Sequence, residues 1–283
     1  MQYIDTYHSL PNYSIKYSLL TTKQVEFTLF KCYTFIEYMR IQKMKIQKRG
    51  NEKMHNIKNK LKTLIPYYVI IPFLLCWVWN LVIYNGTKLL NKNLTHYDLT
   101  TSVDRKYPLI PEFIIIYFGC FLFWTIFYIL CMRTNEAFCA KCFAFEILSR
   151  LICGIFFIIL PTCNVRPIVT DDGIFNTFLL FLYKFDTADN LFPSIHCLIS
   201  WNCFVGIRNA KNYKPVYTYL ALISALLVFA STLFTRQHVI ADVISAVIIS
   251  ELSWILVCRT HIDKWFGKWL KKMNEWMKHK LKI

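Results

Sequence analysis

The sequence predicts an all-α fold, a polytopic membrane helix bundle with about six transmembrane helices, and three observations carry that expectation. Of 283 residues, 55% are hydrophobic and 17% aromatic, with a mean hydropathy of +0.36. So much apolar surface does not fit inside one soluble core. Apolar runs close to the ~20 residues that cross hydrocarbon recur along the chain. The formal charge of +16 is gathered into two clusters, one over 43–62 and one after Arg259. Both clusters flank apolar runs, as positive-inside retention and attraction to anionic lipid require, so nucleic acid is set aside as a partner and the membrane preferred.

Taken in order, residues 1–63 form a basic N-terminal tail of mixed tyrosines and charges, too polar for a span and without the basic, apolar and small-residue order of a signal peptide. It is expected to be poorly structured or interfacial. The membrane domain covers 64–258. Its expected spans are 64–84, 109–132, 143–161, 195–207, 216–234 and 239–257. Glu146 and Arg150, four apart in the third, either pair on one face or lie in the interface. The fourth is short and carries polar residues, as a helix lining a polar cavity would. The run 175–185 is apolar but short, which suits an interfacial or re-entrant helix. Residues 259–283 make a basic, amphipathic C-terminal tail.

The eleven cysteines are odd in number and lie mostly inside apolar runs, with no disulfide framework. Cys139 and Cys142 form one CxxC that reads better as small buried hydrophobes than as a zinc or redox pair. Six crossings place both termini on one side, together with the basic stretches 133–141 and 208–214. Asp98, Asp104, Asp171, Asp172, Asp186 and Asp189 fall on the other side, as do Arg166, His196 and His238. That asymmetry makes the second face non-cytoplasmic, in a multi-pass protein of the cell membrane. Asn85 and Asn93 begin glycosylation sequons by pattern.

Three polar motifs stand at span ends on that face. They are Pro161-Thr-Cys-Asn-Val-Arg-Pro167, Leu191-Phe-Pro-Ser-Ile-His196 and Thr235-Arg-Gln-His-Val-Ile-Ala-Asp242. His238 and Asp242 are four apart, so on a helix they share a face. A carboxylate there takes the proton of one imidazole nitrogen and leaves the other lone pair free for a nucleophile or general base. The alternative is a helix-end histidine satisfied by its neighbour. Pro193 suits a first helical turn, which sets Ser194 and His196 at a helix N-terminus where free amides and the dipole favour an anion. Arg166 and Arg236 add permanent cationic forks for phosphate oxygens. Neither histidine has further ligands at a spacing zinc would want, so no metal or other cofactor is expected. The aspartates read as a solvated loop, one of them able to close over substrate.

These motifs resemble the pattern of the type 2 phosphatidic acid phosphatase superfamily, KxxxxxxRP, then PSGH, then SRxxxxxHxxxD. The resemblance covers roughly 64–258. It implies a six-helix membrane core in which His238 attacks phosphorus, Asp242 orients it, and His196 protonates the leaving alkoxide and then activates water or an alcohol. It also implies that Arg166 and Ser194 hold the non-bridging oxygens of a lipid phosphate. Two positions depart from the pattern: Ile159 replaces the lysine and Thr232 an arginine, with Arg236 able to supply charge from another direction. The third motif looks more like the branch with inositol phosphorylceramide and sphingomyelin synthases, which pass a phospho-headgroup to a lipid alcohol. The leading expectation is a phosphatase acting on a lipid phosphate or polyprenyl diphosphate. A headgroup transferase and a catalytically silent binder of anionic lipid are the alternatives.

Overall fold

The computed structural model describes residues 63–281 and scattered positions between 40 and 54, so the expectation for the N-terminal tail lies almost wholly outside the described residues. The bundle is formed within Lys62–Ile283. It contains α1 (Tyr67–Asn91), α2 (Ile114–Met132), α3 (Glu136–Ile159), α4 (Ile174–Phe185), α5 (Ile195–Asn209), α6 (Pro215–Phe234), α7 (Ile240–Thr260) and α8 (Ile262–Leu281). Helices α1, α2, α3, α6 and α7 are long and apolar enough to cross a membrane. The fold is an all-α polytopic membrane bundle.

Helix α5 is the centre of the bundle. Its 15 residues rise only about 22 Å, short of the roughly 30 Å of hydrocarbon. It needs no greater length, because its neighbours α2, α3, α6 and α7 shield it and eleven of its residues are buried. This explains why its sequence is the least apolar of the core helices: Ser200 and Asn202 are completed by protein rather than facing lipid. Trp124 Nε1 donates to Ser200 at 2.9 Å, and Asn202 Nδ2 donates to Glu146 and Ser149 at 3.1 and 3.0 Å.

Two boundaries move from their expected places for identifiable reasons. Helix α1 continues through Asn85, Gly86 and Thr87 to Asn91 rather than stopping at Tyr84. One face of its last turns points inward, with Thr87 and Asn91 buried while Leu89 and Leu90 are exposed. Asn91 donates to Phe157 O at 2.8 Å and to Asn190 Oδ1 at 2.6 Å, while Asn190 donates to Thr87 at 3.0 Å. These bonds satisfy polar groups that the sequence alone assigns to a loop. The sequon asparagine Asn85 is therefore helical, donating to Leu81 O. Helix α3 begins at Glu136 rather than Phe143, because the Asn135 side chain caps it by accepting from Phe138 N at 2.8 Å. Cys139 and Cys142 lie within it, buried. The amphipathic C-terminal segment is helix α8, which packs its aromatic face on α3: Phe143 stacks on Trp269 and meets Phe266 edge-on.

At one end of the bundle the connecting segments form a single cap. Strand β1 (Tyr97–Asp98) pairs in parallel with β2 (Thr162–Cys163), Cys163 bridges to Asp189, and Ile110 N donates to Phe234 O. This cap carries the expected outer aspartates. Arg133, Lys211 and Lys214 lie in the connections at the other end, and Arg208 lies in the last turn of α5 beside them.

Within the core, Glu146 and Arg150 form a buried ion pair of 2.8 Å, with both side chains 3% exposed or less. Tyr128 O–H donates to Glu146 at 2.8 Å, and Arg150 donates to Tyr128 and to Asn80 Oδ1 at 2.6 and 3.2 Å. Removing one partner strands a charge where neither water nor lipid can solvate it. Glu146→Ala should therefore cost about 3–5 kcal/mol, read as a lower unfolding midpoint in detergent, whereas replacing both residues by apolar ones should cost much less.

Candidate active site

The site is built where α6 gives way to α7. Helix α6 ends at Phe234, and Arg236 follows in the left-handed region at φ 56°. That turn lets the N–H groups of both Gln237 and His238 donate to Thr232 O, at 3.0 and 3.1 Å. Helix α7 then opens. Asp242, its third residue, accepts from Val239 N at 3.0 Å, and Asp104 reaches over from the cap to accept from Ile240 N at 2.9 Å. His238 lies before the helix, so its meeting with Asp242 does not arise from a shared helical face. It follows from helix capping: the carboxylate that holds the first turn also takes His238 Nδ1 at 3.1 Å. A carboxylate can only accept, so Nδ1 carries a proton, and in the neutral ring Nε2 keeps its lone pair.

His196 comes from the start of α5. Ser194 caps that helix, its Oγ accepting from Cys197 N at 3.3 Å, and Ser194 N donates to Asp242 O at 3.2 Å. Pro193 precedes the cap instead of occupying the first turn, because Ser194 supplies the side-chain acceptor a helix start needs. The His196 and His238 rings are 6.0 Å apart, and His196 packs against Tyr117 and Trp124 at 4.6 and 5.6 Å.

Both histidines line a cavity of about 280 Å³ together with Tyr84, Tyr117, Trp124, Asp186 and Gln237. Leu81, Phe118, Phe121 and Phe185 also line it and are exposed on the outside of the bundle. Asp186 accepts from Tyr84 at 2.5 Å and from Tyr117 at 2.9 Å, and Tyr117 Oη lies 3.5 Å from His196 Nδ1. Because Tyr117 donates to the carboxylate, its oxygen is left to accept from His196 Nδ1–H. Burial pushes the Asp186 carboxyl up, but the nearby His196 and the two tyrosine hydroxyls outweigh it and hold the group below its ordinary value.

The structure brings His196, His238 and Asp242 together. Ser194 stands beside them as a fully buried helix cap. Arg166 stays behind the cavity wall: it donates to Tyr183 O at 3.1 Å and to Gln237 Oε1, with its guanidinium 4.6 Å over the Tyr183 ring. Arg236 is turned away, donating to the carbonyls of Asp104 and Tyr107. Both arginines open, with Arg105 and Asp98, onto a second cavity of about 400 Å³ in the cap. Tyr84, Tyr117 and Gln237 escaped the sequence reading, and Asp186 was grouped with a solvated loop. Tyrosine hydroxyls inside apolar helices must find partners, and that need was the available signal for a loop carboxylate.

Residues 161–266, which hold all three motifs, match the family model of the PAP2 superfamily. Over this stretch the chain is similar to the PAP2 superfamily. The match agrees with the resemblance that the motifs carry, and it spans Arg166, Ser194, His196, Arg236, His238 and Asp242. PAP2-superfamily members are phosphoric-ester hydrolases or related transferases acting on lipid phosphates in membranes, which supports that coarse class for this chain. No curated protein and no solved structure matches the chain.

Asp104 ties the cap to the helix that follows His238. Its carboxyl is pushed up by burial, but Thr101 and the N–H groups of Ile240 and Thr101 outweigh that and hold it below its ordinary 3.8. A carboxyl lowered in the folded state stabilises above its unfolded value, and that stabilisation is lost as pH falls through the folded value. The melting temperature in detergent should therefore drop below about pH 4. Asp104→Ala should cost about 1–3 kcal/mol at neutral pH and flatten that acid limb.

Proposed function

We propose that the chain is an integral-membrane lipid phosphate phosphatase that works through a phosphohistidine on His238. The observation that carries this reading is the pair of imidazoles, delivered by two helix starts to one cavity with ring centres 6.0 Å apart. Each has an oxygen acceptor beside its Nδ1: Asp242 for His238, and Tyr117 backed by Asp186 for His196.

In this mechanism His238 Nε2 attacks phosphorus. A P–N bond forms, the P–O bond to the leaving group breaks (the ester bond of a lipid phosphate, the anhydride bond of a polyprenyl diphosphate), and His196 delivers a proton to the departing alkoxide or polyprenyl phosphate. His196 then takes a proton from water, whose oxygen displaces His238 and releases phosphate. Asp242 offsets the positive charge that grows on His238 during attack. The substrate is a lipid phosphate or polyprenyl diphosphate. It enters sideways between α1 and α2, where Leu81, Phe118 and Phe121 line the cavity and are also exposed on the bundle surface. The Lys and Arg residues at the opposite end support a non-cytoplasmic position for the site.

A second reading, headgroup transfer of the inositol phosphorylceramide or sphingomyelin synthase type, is favoured by the charge of the wall. Among the described residues lining the cavity, the charged side chains besides the histidines are Asp186 and Asp189. A phosphodiester carries less negative charge than a monoester and suits such a wall better. The chemistry is the same up to the last step, where a lipid alcohol replaces water.

Mass spectrometry of products from mixed phospholipids separates the readings: free phosphate means hydrolysis, and a new phospholipid without phosphate release means transfer. His196→Ala should cut turnover by at least about 10²–10⁴-fold. His238→Ala should abolish both turnover and acid-labile labelling from a substrate carrying radioactive phosphorus. Full activity in either variant sinks the covalent mechanism, and no turnover of any phospholipid by the intact protein leaves the silent lipid binder.

A further inference from the structure

We infer that Gln237 is a further catalytic residue of this site, its side-chain amide donating to a non-bridging oxygen of the phosphoryl group held between His196 and His238. The inference rests on the phosphohistidine reading above. Gln237 lines the cavity that contains both imidazoles and is only 1% exposed. Its Oε1 accepts from Arg166. A guanidinium has donors only, so the amide cannot be reversed: Oε1 is taken up by Arg166, and Nε2 is the terminal atom left to donate. That Nε2 is buried and has no hydrogen-bond partner in the structure. Buried amide donors are nearly always paired, and an unpaired one beside a reaction centre is a donor placed for an acceptor that arrives with the substrate.

Three features make the assignment specific. The backbone of Gln237 is pinned, because its N–H donates to Thr232 O immediately after the left-handed Arg236. The donor therefore rides on the same turn as His238, the neighbouring residue. Among the described residues neither Arg166 nor Arg236 lines the histidine cavity, whereas Asp186 and Asp189 do, and Lys88, paired with Asp189 at 2.7 Å, is not among the lining residues either. Arg166 acts on that oxygen at one remove. Its positive charge on Oε1 draws electron density from the amide and strengthens Nε2–H as a donor. This arrangement places a polarised neutral group where a bare guanidinium would sit against two carboxylates.

The competing role for Gln237 is a strut that merely holds Arg166, and two substitutions separate the roles. Gln237→Glu keeps an acceptor for Arg166 while removing the Nε2 donor. Gln237→Met removes the donor without adding charge. Each is purified as the full chain in detergent beside wild type and assayed for turnover of the lipid substrate, inhibition by orthovanadate, vanadate-induced shift in melting temperature, and phosphohistidine labelling. The expected result is a kcat lower by about 10²–10³-fold in both variants with KM little changed, and a vanadate inhibition weakened in parallel. The melting temperature of Gln237→Glu should match or exceed that of wild type, which a loss of folding would not produce. A loss confined to Gln237→Met marks the strut, a loss confined to Gln237→Glu marks charge repulsion, and either overturns the inference. So does a folded Gln237→Met with wild-type kcat and vanadate inhibition. Either result beside normal His238 labelling in wild type refutes the role of Gln237 alone. A wild type that neither labels His238 nor binds vanadate refutes the site reading, and this inference with it.

Discussion

Asp242 accepts from Val239 N and from His238 Nδ1 with one carboxylate oxygen, and its backbone carbonyl takes Ser194 N. These three bonds join the start of α7, the residue before it and the start of α5. The distance between the two imidazoles is thus set by local capping chemistry at two helix N-termini rather than by the packing of long apolar faces. Capping bonds are short-range and directional, whereas lipid-facing helices slide and tilt with little energetic cost. A site whose chemistry depends on a few ångströms therefore gains from being anchored in this way. Asp104 adds a fourth tie from the cap, bonding Ile240 N.

Polar groups elsewhere in the bundle follow the same logic on a different scale. Glu146, Arg150, Tyr128, Asn202 and Ser250 form one connected network around α5, with Ser250 donating to Asn202 at 2.6 Å. In a hydrocarbon surrounding no helix pair gains from the hydrophobic effect, so complementary polar contacts and close packing of small side chains decide which helices meet. Gly206 on α5 makes such an approach, since a Cβ there would stand 2.7 Å from Cys131 Sγ of α2. The network specifies the position of α5, and α5 carries His196. Site and scaffold are in this sense one polar framework seen at two depths.

The bundle was legible in the sequence because long apolar runs are a strong signal, and the ionisable residues at their ends singled out His196 and His238, which line one cavity in the structure. Helix ends were less legible. The extension of α1 to Asn91 depends on Asn190, about a hundred residues on, and no local pattern encodes that partner. The pairing of His238 with Asp242 was read from four-residue spacing on a helix, whereas the contact is made by a capping carboxylate reaching a residue outside the helix. The directions of Arg166 and Arg236 were not legible at all. An arginine at a span end can turn toward the reaction centre or into the cap, and here carbonyls of Asp104, Tyr107 and Tyr183 decide it.

The two departures from the motif pattern become intelligible once their surroundings are seen. Ile159, at the position of the family's lysine, is the last residue of α3 and is 66% exposed on the bundle surface, so its side chain faces away from the protein interior. Thr232, at the position of the arginine, is fully buried, with Oγ1 bonded to Phe229 O and 3.5 Å from Cys197 Sγ. Its carbonyl meanwhile holds the turn that presents Gln237 and His238. A longer cationic side chain at 232 would have to displace Cys197 from the start of α5, next to His196. Position 232 thus serves here as the anchor of the turn rather than as a source of charge. With neither cation in place, a phosphoryl group in this cavity would depend on neutral donors and helix-end amides more than on paired charges, and that balance suits a substrate of lower charge.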